Sequence, residues 1–146
     1  MSTSFAGPLL RLTSHQHAVI VGHCYDGYPD EACGLLTGRL VGTEFDGRVT
    51  DAVPCTNAAR SAMTYTVDGR DFLRATRAAE ARGEEIVGVW HSHTHTDPYP
   101  SPTDVRLASD PMWMYVIVSL RDGAPMLRAY RIRNNTIAEI AVQIDS

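Results

Sequence analysis

His91, Ser92 and His93 close the apolar run Ile86-Val87-Gly88-Val89-Trp90. On a strand, side chains two positions apart project to the same face, so His91 and His93 can reach one ion while Ser92 turns away. Such a pair alone is weak, because histidines in a polar stretch are more often solvated or hydrogen-bonded than metallated. Asp104 supplies a third donor, a hard carboxylate oxygen at the start of a short helix whose backbone can fix its orientation. Two imidazoles and one carboxylate make a three-ligand zinc site that leaves the fourth tetrahedral position to water. The stretch Ser101-Pro102-Thr103-Asp104 also reads as a helix start: Ser101 as N-cap, proline in the first turn, and an acid near the positive end of the helix dipole. The two readings are compatible.

The other reactive side chains carry less. Thr96-Asp97-Pro98 breaks the strand before His95 could join its face, so His95 is a loop residue near substrate and not a ligand. His15 and His17 cannot share a helical face, and with His23 they read as surface residues. Glu31, after Pro29-Asp30, is by itself an exposed turn glutamate. Ser92 braces its strand, and no GxSxG elbow accompanies it. All 13 basic residues are arginine, which excludes Schiff-base and lysine general-base chemistry and any GK[ST] phosphate loop. Cys24, Cys33 and Cys55 form no CxxC pair and are expected to be reduced thiols. The net charge of −4, without a basic cluster, argues against nucleic acid.

The elements that must position these residues follow from the patterning. Apolar Ala18, Val19, Val21 and Cys24 behind Thr13 and Ser14 predict a helix over 15–25, ended by Tyr28-Pro29. Short apolar runs over 35–41, 43–45 and 48–53, with a turn at Asp46-Gly47, predict consecutive antiparallel strands. Residues 55–67 are a long irregular loop that could line a site. Asp68 caps a second helix that runs to Arg82 and stops at Gly83. The apolar strand 86–90 delivers the histidines from a rigid base. Beyond the loop 94–100 and the short helix come strands over 114–120, 126–133 and 136–144. The fold class is α+β, in a single domain spanning 1–146, with no internal repeat. No stretch is long and apolar enough for a membrane helix, and the N-terminal ten residues lack a secretory pattern, so a cytoplasmic location is expected.

Glu31, His91-Ser92-His93, seven further residues, Ser101, two residues and Asp104 together resemble the JAMM (MPN+) metallopeptidase motif. The resemblance also takes in Ala32-Cys33-Gly34-Leu35-Leu36-Thr37-Gly38 and the apolar approach to Trp90. It implies an MPN/JAMM-like fold, a mixed sheet flanked by helices of the cytidine-deaminase-like type. It further implies one zinc ion per chain on His91, His93 and Asp104, Glu31 as proton acceptor and donor, and Ser101 donating its hydroxyl to the oxyanion. Many members carry proline after the HxH where this chain has Thr94-His95, a departure that touches loop shape and not a ligand.

Members of this family typically cut an amide or isopeptide bond after the C-terminal glycine of a ubiquitin-like protein. The chain resembles the compact bacterial members that process ubiquitin-like sulfur-carrier proteins, and the subgroup that releases cysteine from the carrier during cysteine biosynthesis. A general isopeptidase for ubiquitin-like conjugates and a non-catalytic MPN-type binding module are the alternatives. Compact MPN domains often associate, so a homodimer is compatible with the resemblance, although no apolar stripe marks an interface.

Overall fold

The computed structural model describes residues 9–146. The expectation that the N-terminus is no secretory segment rests mainly on residues 1–8, outside the described residues. The chain runs β1 (Leu10–Thr13), α1 (Ser14–Gly27), β2 (Cys33–Val41), β3 (Glu44–Cys55), α2 (Gly69–Ala81), β4 (Glu85–His93), α3 (Pro102–Leu107), β5 (Met114–Ser119), β6 (Met126–Arg133), β7 (Thr136–Ile140) and β8 (Val142–Asp145). The strands form one mixed sheet in the order β7-β6-β5-β4-β2-β3-β1-β8, the α+β class expected from the sequence. Among the described residues no helix is long and apolar enough to cross a membrane.

Both long helices start as the patterning requires. The Thr13 side chain accepts from the Gln16 N–H while the Gln16 side chain accepts from the Thr13 N–H, a reciprocal cap that fixes α1. Asp68 accepts from the amides of Arg70 and Asp71 at the start of α2, and Gly83, at φ 71°, turns the chain out of it.

The helices cover opposite faces of the sheet. Ile20 and Cys24 of α1 pack with Leu36, Trp90, Val116 and Val118, whereas Ala75 of α2 packs with Cys33, Leu35, Val89 and Tyr115. At β4 the pairing steps from Leu36–Gly88 to Thr37–Ile86, which leaves Val87 as a bulge. From Gly88 onward the alternation is regular. Val89, His91 and His93 therefore share the α2 face, while Trp90 and Ser92 share the α1 face.

The structure corrects three expectations of the strand pattern. The hairpin turn falls at Gly42-Thr43, with Val41 opposite Glu44 and Gly42 at φ 67°. Asp46-Gly47 is a bulge inside one continuous β3, held by the Arg48 amide donating to Asp46 Oδ1 at 2.9 Å. Residues 136–144 are not one strand but two, β7 and β8, which end up on opposite edges of the sheet. β1 was not anticipated. Its signal is the alternation in Leu10-Arg11-Leu12-Thr13, with both leucines buried, but four residues are too few for periodicity to decide.

Candidate metal centre and active site

β4 is an interior strand, parallel to β5 and antiparallel to β2, and both neighbours hold its end in register as far as His91–Cys33 and His93–Ser119. His91 and His93 are 2% and 4% exposed, so their positions are set by the core and not by a loop. His93 Nδ1 lies 2.8 Å from the Asp97 carbonyl, so it donates there and turns Nε2 toward the cluster. The His91 ring is stacked on Tyr65 at 4.2 Å between centroids.

Asp104 completes the group. Its Oδ2 lies 3.3 Å from His91 Nε2 and 3.0 Å from His93 Nε2. One donor atom from each residue lies within 4.8 Å of the others. Ligands about 2.0–2.2 Å from a tetrahedral ion stand roughly 3.3–3.5 Å apart, so the donor set fits a divalent cation in both chemistry and spacing. The capping role is present too: Asp104 Oδ2 accepts from the Ser101 amide at 2.9 Å, and Ser101 Oγ accepts from the Asp104 amide at 3.0 Å. Cap and histidines thus meet on the same oxygen. Burial would raise the Asp104 pKa, but hydrogen bonds from His91 and His93 outweigh it and hold the carboxyl well below the usual range. Burial dominates at His91, whose pKa is lowered. At His93 burial lowers the pKa, but the hydrogen bonds to Asp104 and to the Asp97 carbonyl outweigh it and raise it, so a cation taking the site would displace the His93 proton and bind less well as pH falls.

Glu31 is buried, 6% exposed, not the exposed turn residue that its local sequence suggests. Its Oε1 has no hydrogen-bond partner. Burial, only partly offset by the charge of His93, pushes its pKa up from 4.5 to about 7. A carboxylate left with an unmet acceptor and a pKa near neutrality is suited to taking up and returning a proton. A cavity of about 410 Å³ brings Glu31, His93 and Ser101 together with Met63, His95 and Thr103. Ser101 Oγ accepts from its own helix, so its hydroxyl hydrogen stays available to a group in that cavity.

His95 is exposed on the cavity wall, with Tyr28 edge-on at 6.0 Å. Ser92 faces away from the cluster and accepts from the Ala32 amide at 2.8 Å. His23, expected on the surface, is half-buried instead, with Nε2 2.9 Å from the Cys55 carbonyl and its ring edge-on to Trp90. The helix turns it inward beside Cys24, a placement its short pattern did not reveal. The three cysteines are free and buried, and burial pushes each thiol up to about 12, which makes them inert.

Sequence reasoning missed Tyr65 and Asn57. Asn57 lies in the irregular loop, and its side-chain amide donates to the Glu31 carbonyl. Neither residue has a spacing signal, since both act from a segment without periodicity.

An α+β fold that presents two histidines from the end of an interior strand and an aspartate from the first turn of a short helix, with a buried, unpartnered glutamate beside them, has the layout of a metal-dependent hydrolase. Comparison with known proteins gives the family. Residues 13–133 match the prokaryotic homologues of the JAB domain. The chain is 42% identical over 126 residues to the CysO-cysteine peptidase of Mycobacterium tuberculosis, covering 86% of this chain and 84% of that one. It is 33% identical over 142 residues to the desampylase of Haloferax volcanii, covering 93% and 96%. Among solved structures, a protein from Desulfitobacterium hafniense superposes with a TM-score of 0.84 at 32% identity, covering 94% of each chain. A JAB1/MPN domain protein from Archaeoglobus fulgidus shares the fold at a TM-score of 0.60 and 15% identity, covering 94% of this chain and 100% of that one. This chain belongs to the prokaryotic JAB-domain family, and it is an enzyme of that metal-dependent hydrolase class.

Proposed function

We propose that the protein is a zinc peptidase that hydrolyses the amide bond after the C-terminal glycine of a ubiquitin-like sulfur-carrier protein and releases cysteine. The observation that carries this reading is Glu31, whose buried, unpartnered carboxylate oxygen shares a cavity with His93 and Ser101 beside the Asp104 oxygen on which both histidines converge. The substrate rests on the likeness to the CysO-cysteine peptidases over most of the chain.

His91, His93 and Asp104 would hold the ion. Zinc, when bound, supplies Lewis acidity that polarises the scissile carbonyl and makes water acidic enough to attack near neutral pH. The residues of the chain do the rest. The Glu31 carboxylate accepts a proton from the attacking water and returns it to the leaving nitrogen as the C–N bond breaks. The Ser101 hydroxyl donates to the oxygen on which negative charge develops, a role worth about 2.7–4 kcal/mol for a single preorganised donor. Tyr65 and the Asp97 carbonyl hold the histidine rings, so no ordering is left for the moment of reaction. Free, buried thiols suit a reducing compartment, and the cytoplasm is the proposed location.

The test is release of cysteine from a carrier ending in a Gly-Cys amide. Native protein is expected to cleave it. Chelator-treated protein should not, and Glu31→Gln should retain zinc but lose about 10²- to 10⁴-fold in kcat. Zinc binding without cysteine release would discard this substrate. The likeness to a desampylase over nearly the whole chain favours a second reading, cleavage of lysyl isopeptide conjugates, and a lysyl adduct assayed alongside separates the two.

A further inference from the structure

Glu31 is held by its backbone and not by its side chain. The Glu31 amide donates to the Ser61 carbonyl at 2.8 Å. The Glu31 carbonyl accepts from Asn57 Nδ2 at 2.9 Å. The same Nδ2 donates to the Thr64 carbonyl at 3.1 Å, and Asn57 Oδ1 accepts from the amides of Ala59 at 3.0 Å and Thr66 at 2.9 Å. One half-buried carboxamide therefore makes two donor and two acceptor bonds, and all four go to main chain. On the other side, Ser92 takes both backbone groups of Ala32: its Oγ accepts from the Ala32 amide, and its own amide donates to the Ala32 carbonyl at 3.0 Å.

We propose that Asn57 is a positioning residue for the proposed proton carrier: it clamps the loop 57–66 onto the Glu31 backbone and so fixes where the Glu31 carboxyl stands relative to the metal cluster. The need for such a clamp follows from the geometry. Glu31 lies between α1 and β2, outside every helix and strand, and its Oε1 has no partner to fix its direction. Backbone anchors are what remain to orient it. A displacement of about 1 Å in such a group can cost on the order of a hundredfold in rate. The clamp also shapes the cavity, because the tethered loop carries Ala62 and Met63 to its wall.

The inference rests on the proton role proposed for Glu31, and two variants with two readouts test it. Asn57→Asp keeps the size of the side chain and both acceptor bonds but loses the donors to Glu31 and Thr64; Asn57→Ala loses all four bonds. The first readout is hydrogen exchange on the intact protein. Exchange at the Glu31 amide should rise in both variants, whether or not any substrate is turned over. The second is kinetic, on the Gly-Cys carrier amide. We expect kcat to fall about ten- to a hundredfold, KM to stay within about threefold, and zinc content to be unchanged. In a Glu31→Gln background the Asn57 substitutions should cost nothing further, because a positioning residue has nothing left to position. An unchanged Glu31 amide, a loss of the same size in the Glu31→Gln background, or a loss that tracks zinc content would overturn the proposal. If native protein releases no cysteine, the substrate reading fails while the exchange measurement still decides the clamp.

Discussion

At the scale of single residues, Glu31 makes folding depend on pH. Its pKa is raised by burial from 4.5 to about 7, so folding of the metal-free chain takes up a proton between those values. The stabilising contribution is fully present below about pH 4.5 and is lost as pH rises through about 7. Metal-free Glu31→Gln should therefore be more stable than metal-free native protein at pH 8, by on the order of 1–3 kcal/mol, and match it near pH 4. Urea unfolding at the two pH values measures this, and equal differences at both would show that Glu31 is not the titrating group. The donor set was legible because two histidines alternate on a strand and an acid follows a helix-starting serine. Glu31 was not, apart from the family resemblance, because its nearness to His93 is made by the sheet across 62 positions of sequence.

At the scale of elements, Ser101 combines a cap with a proposed hydroxyl donor, and two substitutions separate them. Ser101→Gly keeps most of the helix start, whereas Ser101→Ala costs about 1 kcal/mol of stability. Both lack the hydroxyl, so both should lose about 10²- to 10³-fold in kcat while only Ser101→Ala melts lower. If Ser101→Gly stays fully active, the residue is a cap and nothing more. In β2, a Cβ on Gly34 would lie 2.0 Å from the Trp90 ring, whose Nε1 donates to the Leu35 carbonyl at 3.1 Å. Gly34→Ala should destabilise by roughly 1–3 kcal/mol, with a shift in tryptophan emission as the indole moves. α2, β4 and β6 could be read from sequence because each carries its own amphipathic or apolar pattern and clear stops. The bulge at Asp46-Gly47 and the division of 136–144 could not. A bulge and a turn use the same residues, and only the partner strand decides between them.

At the scale of the whole molecule, the ion should act as a stabiliser as well as a reagent. A ligand bound only by the folded state adds RT ln(1 + [L]/Kd), about 4 kcal/mol at a thousandfold excess over Kd. Removing zinc with a chelator should lower the melting temperature by several degrees, and restoring zinc should recover it. His91→Ala should melt the same with and without chelator. The α+β class was legible from the mixture of patterns. The strand order was not, since β1 pairs with β3 and β8 through contacts no local signal encodes.

That last pairing sets an order of events. Leu10 to Thr13 align with Val142 to Asp145, strands separated by nearly the entire described chain. The entropy of closing a loop grows with its length, so contacts this distant form after the local hairpins β2–β3 and β6–β7. During synthesis β1 leaves the ribosome well ahead of its neighbour β8 and waits for it until Val142 to Asp145 emerge. Through that interval the outer edge of β1 is unpaired, a vulnerability of the nascent chain that ends when β8 covers it and becomes the sheet's short terminal strand.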